Sequence, residues 1–417
     1  MSQPPPLRVA LYSHDGMGLG HLRRNALIAT SLSQPPTAAA ILLIAGAPEL
    51  TRFGLPESVG CLTLPGLKKT GNGQYRPRRL GIEAAHLAEV RRNVLTSALE
   101  AYRPDLLIVD KHPAGLCGEL LPSLEHLRAR GTRVVLGLRD ILDEPEQVRS
   151  EWAGNGSDEV VEEFYDAVWV YGDPRIYDLI RECGFSSAVS RRTRFTGYLD
   201  PRRHHDDPSP AASLRGGSAV GRRPGEAPGP YLLCHTGGGQ DGGRLAEAFA
   251  EAEFPEGKRG VLVQGPYLPQ DSRDRIRKIS GARRDLQVLD FVPGTSGLVN
   301  AADGVISMAG YNSVCEVLIS RRRALVVPRV KPRQEQRIRA ERMGGLGLLD
   351  WLHPDVLTPS ALSQWMEKDS PLQKDSTRRV DFKGLERLRH LTLELTDRKE
   401  QGAGFIFDRS SQKGGQS

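Results

Sequence analysis

Only five of 417 residues are cysteine, and Cys61, Cys117, Cys183, Cys234 and Cys315 stand far apart, with no C-x-x-C pair and no histidine at zinc-site spacing. That excludes a disulfide framework and a structural zinc site, and it fits a reducing compartment. Aromatic residues make up 6% of the chain, and the short arginine runs (Arg191-Arg192, Arg222-Arg223, Arg321 to Arg323) have no aromatic platform interleaved with them. The formal charge of +6 therefore points to a small anionic ligand or an anionic membrane surface, and no nucleic-acid partner is expected. Long apolar runs are also missing. The longest, AAAILLIAGA at 38–47, is too short to span a bilayer, and the N-terminus enters a strand without the basic and apolar regions of a signal peptide. A cytoplasmic protein is expected, with peripheral contact as its one route to a membrane. No D-x-D motif is present to hold a divalent cation on a diphosphate, so neither an essential metal nor another cofactor is expected.

What is present is an alternation of short β-type runs and amphipathic stretches. Arg8 to Tyr12, Ala40 to Ile44, Leu106 to Val109, Val134 to Leu138 and Ala167 to Val170 read as strands, with helical patterns at 84–101 and 117–130. Such alternation implies parallel sheets wrapped by helices, an α/β class. At this length a single core stops growing and two domains are expected. The texture changes at about 201–230 to a segment rich in Pro, Gly, Ser and charge, which reads as a linker or disordered insertion. The rhythm restarts at Tyr231. The expected division is a first domain over 1–200, the linker, a second domain over 231–385, and a terminal helix with a disordered tail over 386–417.

Three glycine-bearing strand-to-helix turns carry the chemistry. In the first, SHDGMGLGHLRR at 13–24, Gly16, Gly18 and Gly20 precede His21. The spacing is G-x-G-x-G, not G-x-G-x-x-G, which argues against a dinucleotide fold. In the second, CHTGGGQDGG at 234–243, Gly237, Gly238 and Gly239 allow a backbone to approach a diphosphate. The third is ISMAGYNSVCEVLISRRRALVVP at 306–328. It reads as a buried strand, a turn at Ala309-Gly310, a helix opening at Asn312 or Ser313, and a second strand from Ala324 to Val327. The helix start offers free N–H groups and a positive dipole end to phosphate, and Glu316, one turn in, can accept from a sugar hydroxyl.

The order AGYNSVCE, apolar strand, Pro328, polar turn, Glu335-Gln336 resembles the donor half of GT-B glycosyltransferases. The likeness is to the bacterial N-acetylglucosaminyltransferases that form lipid II and to their uncharacterised bacterial relatives. The resemblance implies a GT-B fold, with two Rossmann-like domains whose parallel sheets face across a cleft. It also implies a nucleotide-sugar donor bound by Gly237, Gly238, Gly239, Phe291, Val292, Gly310, Tyr311, Asn312, Ser313, Glu316, Glu335 and Gln336. In that family the residue matching Glu316 binds ribose hydroxyls, the pair matching Glu335-Gln336 faces the donor sugar, and segments matching Phe291 and Val292 line the base. Gly20-His21 matches the family's N-terminal loop, so His14, Gly16, Gly18 and Gly20 are assigned to an acceptor or phosphate loop. Segments 72–80 and 139–165 match nothing in the family.

A general base is needed to deprotonate an acceptor hydroxyl, and an imidazole suits the task. In the plant-type branch of the GT-B enzymes a histidine in this loop pairs with an aspartate at a later strand end, and here Asp110 ends such a strand. His21 is therefore the candidate base and Asp110 its partner. The other reading makes His21 a helix-start residue and Asp110 a cap, with His14, Asp15 and His112 as rivals at the same sheet edge. Leaving-group charge would fall to helix dipoles, glycine amides and an arginine such as Arg23, Arg329 or Arg333. The expected activity is inverting, metal-independent transfer of a sugar from a nucleotide-diphosphate donor, with UDP-sugar first, to a small-molecule or lipid-linked hydroxyl. A UDP-sugar 2-epimerase of the same fold and a non-catalytic nucleotide-sugar-binding protein are the alternatives.

Overall fold

A computed structural model of the protein describes residues 5–14, 20–46, 54–69, 75–203, 229–290, 292, 294–368 and 380–397. Strands β1 (Arg8–Ser13), β2 (Ala40–Ala45), β3 (Val59–Thr63), β6 (Leu106–Asp110), β7 (Arg133–Arg139), β8 (Ala167–Tyr171) and β9 (Thr193–Phe195) form one sheet in the order β3-β2-β1-β6-β7-β8-β9. Two further strands, β4 (Leu67–Lys69) and β5 (Tyr75–Pro77), pair antiparallel as a separate hairpin. The second sheet, β12-β11-β10-β13-β14-β15, comprises β10 (Tyr231–His235), β11 (Arg259–Val263), β12 (Leu286–Leu289), β13 (Gly304–Ser307), β14 (Arg323–Val326) and β15 (Asp350–Trp351). Both large sheets are parallel throughout. The sequence dictates this arrangement: LLIVD and YLLCH are buried at every position, as strands covered by helices on both faces must be.

In each sheet the chain order reverses beside the first strand, between β1 and β6 and between β10 and β13. A doubly wound sheet opens a crevice at the carboxyl ends of such strands. Helix α1 (Gly20–Ser33) leaves β1 at that point and is buried on almost every side. Helix α2 (Ala84–Tyr102) instead buries a single stripe, Leu87, Arg91, Leu95 and Leu99, at the four-residue spacing of one helical face. Helices α3 (Leu121–Ala129), α4 (Pro145–Gly154), α5 (Ser157–Phe164), α6 (Leu179–Cys183) and α7 (Ser187–Arg192) complete the first domain. The second adds α8 (Gly243–Glu251), α9 (Gln270–Gly281), α10 (Ser296–Ala301), α11 (Tyr311–Ser320), α12 (Glu335–Gly345) and α13 (Pro359–Glu367).

Helix α14 (Gly384–Leu395) returns to the first domain. Its Leu385 and Leu388 join the buried core shared with Leu22 and Ala26 of α1, and Arg387 donates to the carbonyl of Thr196 at 2.6 Å. The core of the protein therefore runs through both domains. Most of the linker segment 201–230 and the tail beyond residue 397 lie outside the described residues.

Candidate active site

The two reversal points face one cleft of about 1090 Å³, lined by His14, His21, Lys111 and Arg139 on one wall and by Gly237 to Gly239, Gly310 to Ser313 and Arg329 on the other.

On the first wall, β1 and β6 lie side by side, and their ends bring His21 to Asp110. His21 Nδ1 stands 2.9 Å from Asp110 Oδ2. With the carboxylate accepting at Nδ1, the imidazole keeps Nε2 as its unprotonated atom. Arg24, one helical turn from His21, donates to both Asp110 oxygens at 2.6 and 2.5 Å. Burial alone would raise the Asp110 carboxyl; Arg24 and then His21 overcome it and hold it well below the usual range. Burial pushes His21 down to about 4, with Asp110 pulling upward and Arg24 pushing further down. His14 is buried and stacks edge-on between His21 and His112, with ring centroids 5.3 and 4.5 Å away. Burial and then the neighbouring rings keep His14 well below its ordinary value; burial and then Lys111 do the same for His112. All three imidazoles are therefore neutral near pH 7. Gly20 opens α1 with open space around it. Gly16, Gly18 and Asp15 lie outside the described residues.

On the second wall, α11 opens at Tyr311, one residue before the expected start, and no side chain caps it. Its first-turn amides are left for a ligand. Asn312 instead bridges the walls, its side-chain N–H donating to the carbonyl of Gly20 at 3.1 Å. Tyr311 is committed to the seam, where its hydroxyl accepts from the Leu199 amide at 3.4 Å. The glycine run divides. Gly237 and Gly239 have φ of 60° and 88°, and a Cβ on Gly239 would stand 2.9 Å from Gly265 Cα, so the fold itself requires both. Only Gly238 combines an ordinary φ with ordinary space, its nearest neighbour, on Tyr267, standing at 3.8 Å. Val292 lines the cleft; Phe291 lies outside the described residues.

Glu316 is buried and does not line the cleft. Its two oxygens accept from Arg23 at 2.7 Å and from the Thr295 hydroxyl at 2.7 Å. Glu335 and Gln336 do line the cleft. Glu335 is held by Arg329, and Gln336 accepts from the Arg329 amide at 3.1 Å. Arg333 is spent on Asp143 and Glu151, at 2.9 and 2.8 Å. The three arginines expected to meet a leaving group thus all reach carboxylates of the protein itself. Reading along the sequence misses Arg24, Lys111, Arg139 and Thr295. Only Arg24 left a signal, its three-residue offset from His21 on one helical face. Among the described residues no group of three His, Cys, Asp or Glu side chains is placed to hold a metal ion.

No model of a known protein family matches the chain. Over 108 residues it is 31% identical to the UDP-N-acetylglucosamine--N-acetylmuramyl-(pentapeptide) pyrophosphoryl-undecaprenol N-acetylglucosamine transferase of Phenylobacterium zucineum, a stretch that covers 25% of this chain and 30% of that protein. Solved structures match it over nearly its whole length. A UDP-N-acetylglucosamine 2-epimerase is 12% identical with a TM-score of 0.61, covering 97% of this chain and all (100%) of that one. A UDP-glucosyltransferase from Polygonum tinctorium is 14% identical with a TM-score of 0.59, covering 96% and 100%. The chain has the GT-B fold, two Rossmann-like domains facing across a cleft, and in sequence it resembles the bacterial N-acetylglucosaminyltransferases that form lipid II.

Proposed function

We propose that the protein is a glycosyltransferase that moves a sugar from a nucleoside-diphosphate sugar, with UDP as the first nucleotide to test, to an acceptor hydroxyl by a single inverting displacement. One observation carries the reading: the His21–Asp110 pair at 2.9 Å faces an uncapped helix start and a glycine loop across the same cleft. His21 Nε2 takes the acceptor proton as the acceptor oxygen bonds to the anomeric carbon. The bond from that carbon to the diphosphate oxygen breaks, and its electrons leave with the nucleoside diphosphate. Amides at the start of α11 and at Gly238 meet the departing charge. The five cysteines are free, in keeping with a cytoplasmic setting, and no helix among the described residues is long and apolar enough to cross a membrane.

Calorimetric titration with UDP, TDP, GDP and NAD, wild type against Glu316→Ala, tests the donor site. Micromolar binding of one nucleoside diphosphate, weakened about tenfold or more in the variant, is expected; binding of none, or of NAD alone, overturns the reading. Turnover with the matching sugar donor is expected to survive EDTA, and a loss restored by one divalent cation would assign the diphosphate to a metal. A second reading, a 2-epimerase, draws on the likeness to the epimerase structure. It predicts an epimerised sugar nucleotide from donor alone, detected by NMR with no acceptor present.

A further inference from the structure

Strands β6 and β7 are neighbours, and the amide of Lys111 donates to the carbonyl of Gly137 at 2.9 Å. Lys111 and Arg139 therefore emerge from adjacent strands at one edge of the first sheet, and both line the cleft. Charge is balanced elsewhere in the cleft. Arg23 has Glu316, Arg24 has Asp110, Arg329 has Glu335 and Asp241, and Arg333 has Asp143 and Glu151. It is not balanced at this edge. Among the described residues the Lys111 ammonium has no ion-pair or hydrogen-bond partner, and the carboxylates that act on it from a distance, Glu151 and Glu335, already belong to Arg333 and Arg329. Arg139 reaches the Leu142 carbonyl at 3.3 Å and Glu335 only at 3.9 Å, and its Nε is buried without a partner.

Two cations are thus held where their charge is disfavoured. Burial, then Arg139 and Arg333, pushes Lys111 down to about 7, and burial pushes Arg139 down to about 10. Lys111 also sits at φ 71°, a left-handed conformation that costs a side-chain-bearing residue about 1 kcal/mol. The Leu142 carbonyl and the more distant Glu335 and Glu151 offset these costs only in part, whereas an anion seated between the two groups would meet both charges. Leu116, Leu121, Val160 and Tyr75 of the first domain line the same cleft and add apolar surface to it.

We propose that Lys111 and Arg139 form an oxyanion subsite in the acceptor half of the cleft, so that the acceptor presents a carboxylate or a phosphate beside the hydroxyl that reacts. The proposal rests on the transferase reading for the word acceptor, but not for the subsite itself, which lies on the β6–β7 edge, on the wall opposite the glycine turns at 237–239 and 310.

The test is calorimetry on the full chain saturated with UDP, titrated with phenyl phosphate, benzoate and the neutral benzyl alcohol. At least one anion is expected to bind and the alcohol not to; which anion binds tells a phosphate acceptor from a carboxylate one. Lys111→Met and Arg139→Met should each weaken that binding about tenfold or more, the loss of one charge-assisted contact. Lys111→Arg should retain it, which a proton-transfer role for the lysine would not allow. UDP affinity should stay within about twofold in all variants. Thermal melts guard against misfolding, and Arg139→Lys replaces Arg139→Met if that variant does not fold. Equal binding of benzyl alcohol, or anion binding untouched by both methionine variants, overturns the subsite while leaving the donor site standing. If UDP does not bind, the donor reading fails, and the same titration on the UDP-free protein still decides the subsite.

Discussion

Arg24 stands one helical turn beyond His21 and shares Asp110 with it, its guanidinium 3.0 Å from His21 Nδ1. Burial sets the imidazole low; Asp110 pulls it back upward as a base, Arg24 works against that pull, and His21 rests near 4. The consequence is a base that is already deprotonated at any ordinary pH but accepts a proton weakly. Replacing Arg24 with methionine removes a like charge from the ring, so the His21 pKa should rise by about one pH unit or more, read from its NMR titration and from the acidic limb of kcat/KM. A loss of activity with an unmoved titration would make Arg24 purely structural. His21→Ala should cost about 10²- to 10⁴-fold in kcat. The three neutral rings also set a pH dependence of stability. Unfolded histidines bind protons near 6.5, whereas folded His21 resists until about 4 and His14 and His112 are also held low. The unfolded state therefore binds more protons in that window, so stability is full above about 6.5 and is lost as pH falls toward 4. Urea melts of His14→Gln should show a shallower decline over this window; an unchanged slope would mean that His14 is not held neutral by the fold.

Among the elements, the glycine run shows what a sequence can and cannot disclose. Three consecutive glycines after a strand announce a ligand loop, but the structure assigns Gly237 and Gly239 to backbone geometry, and the contact of Gly239 with Gly265 joins turns 26 residues apart in the numbering. Gly239→Ala, strained and crowded together, should cost about 2 kcal/mol or more in a urea melt. Gly238→Ala should leave stability within about 0.5 kcal/mol while weakening nucleoside diphosphate binding, and equal stability losses in the two would remove the distinction. The central strands were legible to within a residue or two because buried parallel strands are written as continuous apolar runs, LLIVD being the plainest, whereas the edge strands β3, β9 and β15, which are partly exposed, were not. Segment 139–165 was not legible, since its meaning lies in partners about 190 residues away: Asp140, Asp143 and Glu151 grip Arg339 and Arg333 of the second domain. The short hairpin β4–β5 and the return of α14 to α1 escaped for the same reason. A tertiary contact leaves no local period behind it.

Across the whole molecule, α12 and the residues before it dock on the first domain through arginines of unequal weight. Arg339 is buried with Asp140, at 2.6 and 3.0 Å, and also donates to the Ala309 carbonyl. Removing one partner of such a pair costs about 3–5 kcal/mol. Arg337–Glu144 and Arg342–Glu182 are more exposed and contribute about 0–1 kcal/mol each, less in salt. Arg339–Asp140 therefore anchors this helix to the seam, and the two exposed pairs yield to ionic strength. The Arg23–Glu316 pair, at 2.7 Å, spans the same seam but ends on the carboxylate proposed to accept from a ribose. Arg23 and a nucleotide then compete for Glu316, and nucleotide entry must first break a contact between the domains. Arg23→Met should tighten UDP binding by about three- to tenfold, since a competing contact of about 1 kcal/mol is removed; in the Glu316→Ala background the same substitution should change nothing. Calorimetry on the four proteins of that cycle separates the outcomes. Weaker binding in Arg23→Met, persisting without Glu316, would mean that Arg23 meets the diphosphate directly and that its bond to Glu316 is where it waits when the cleft is empty.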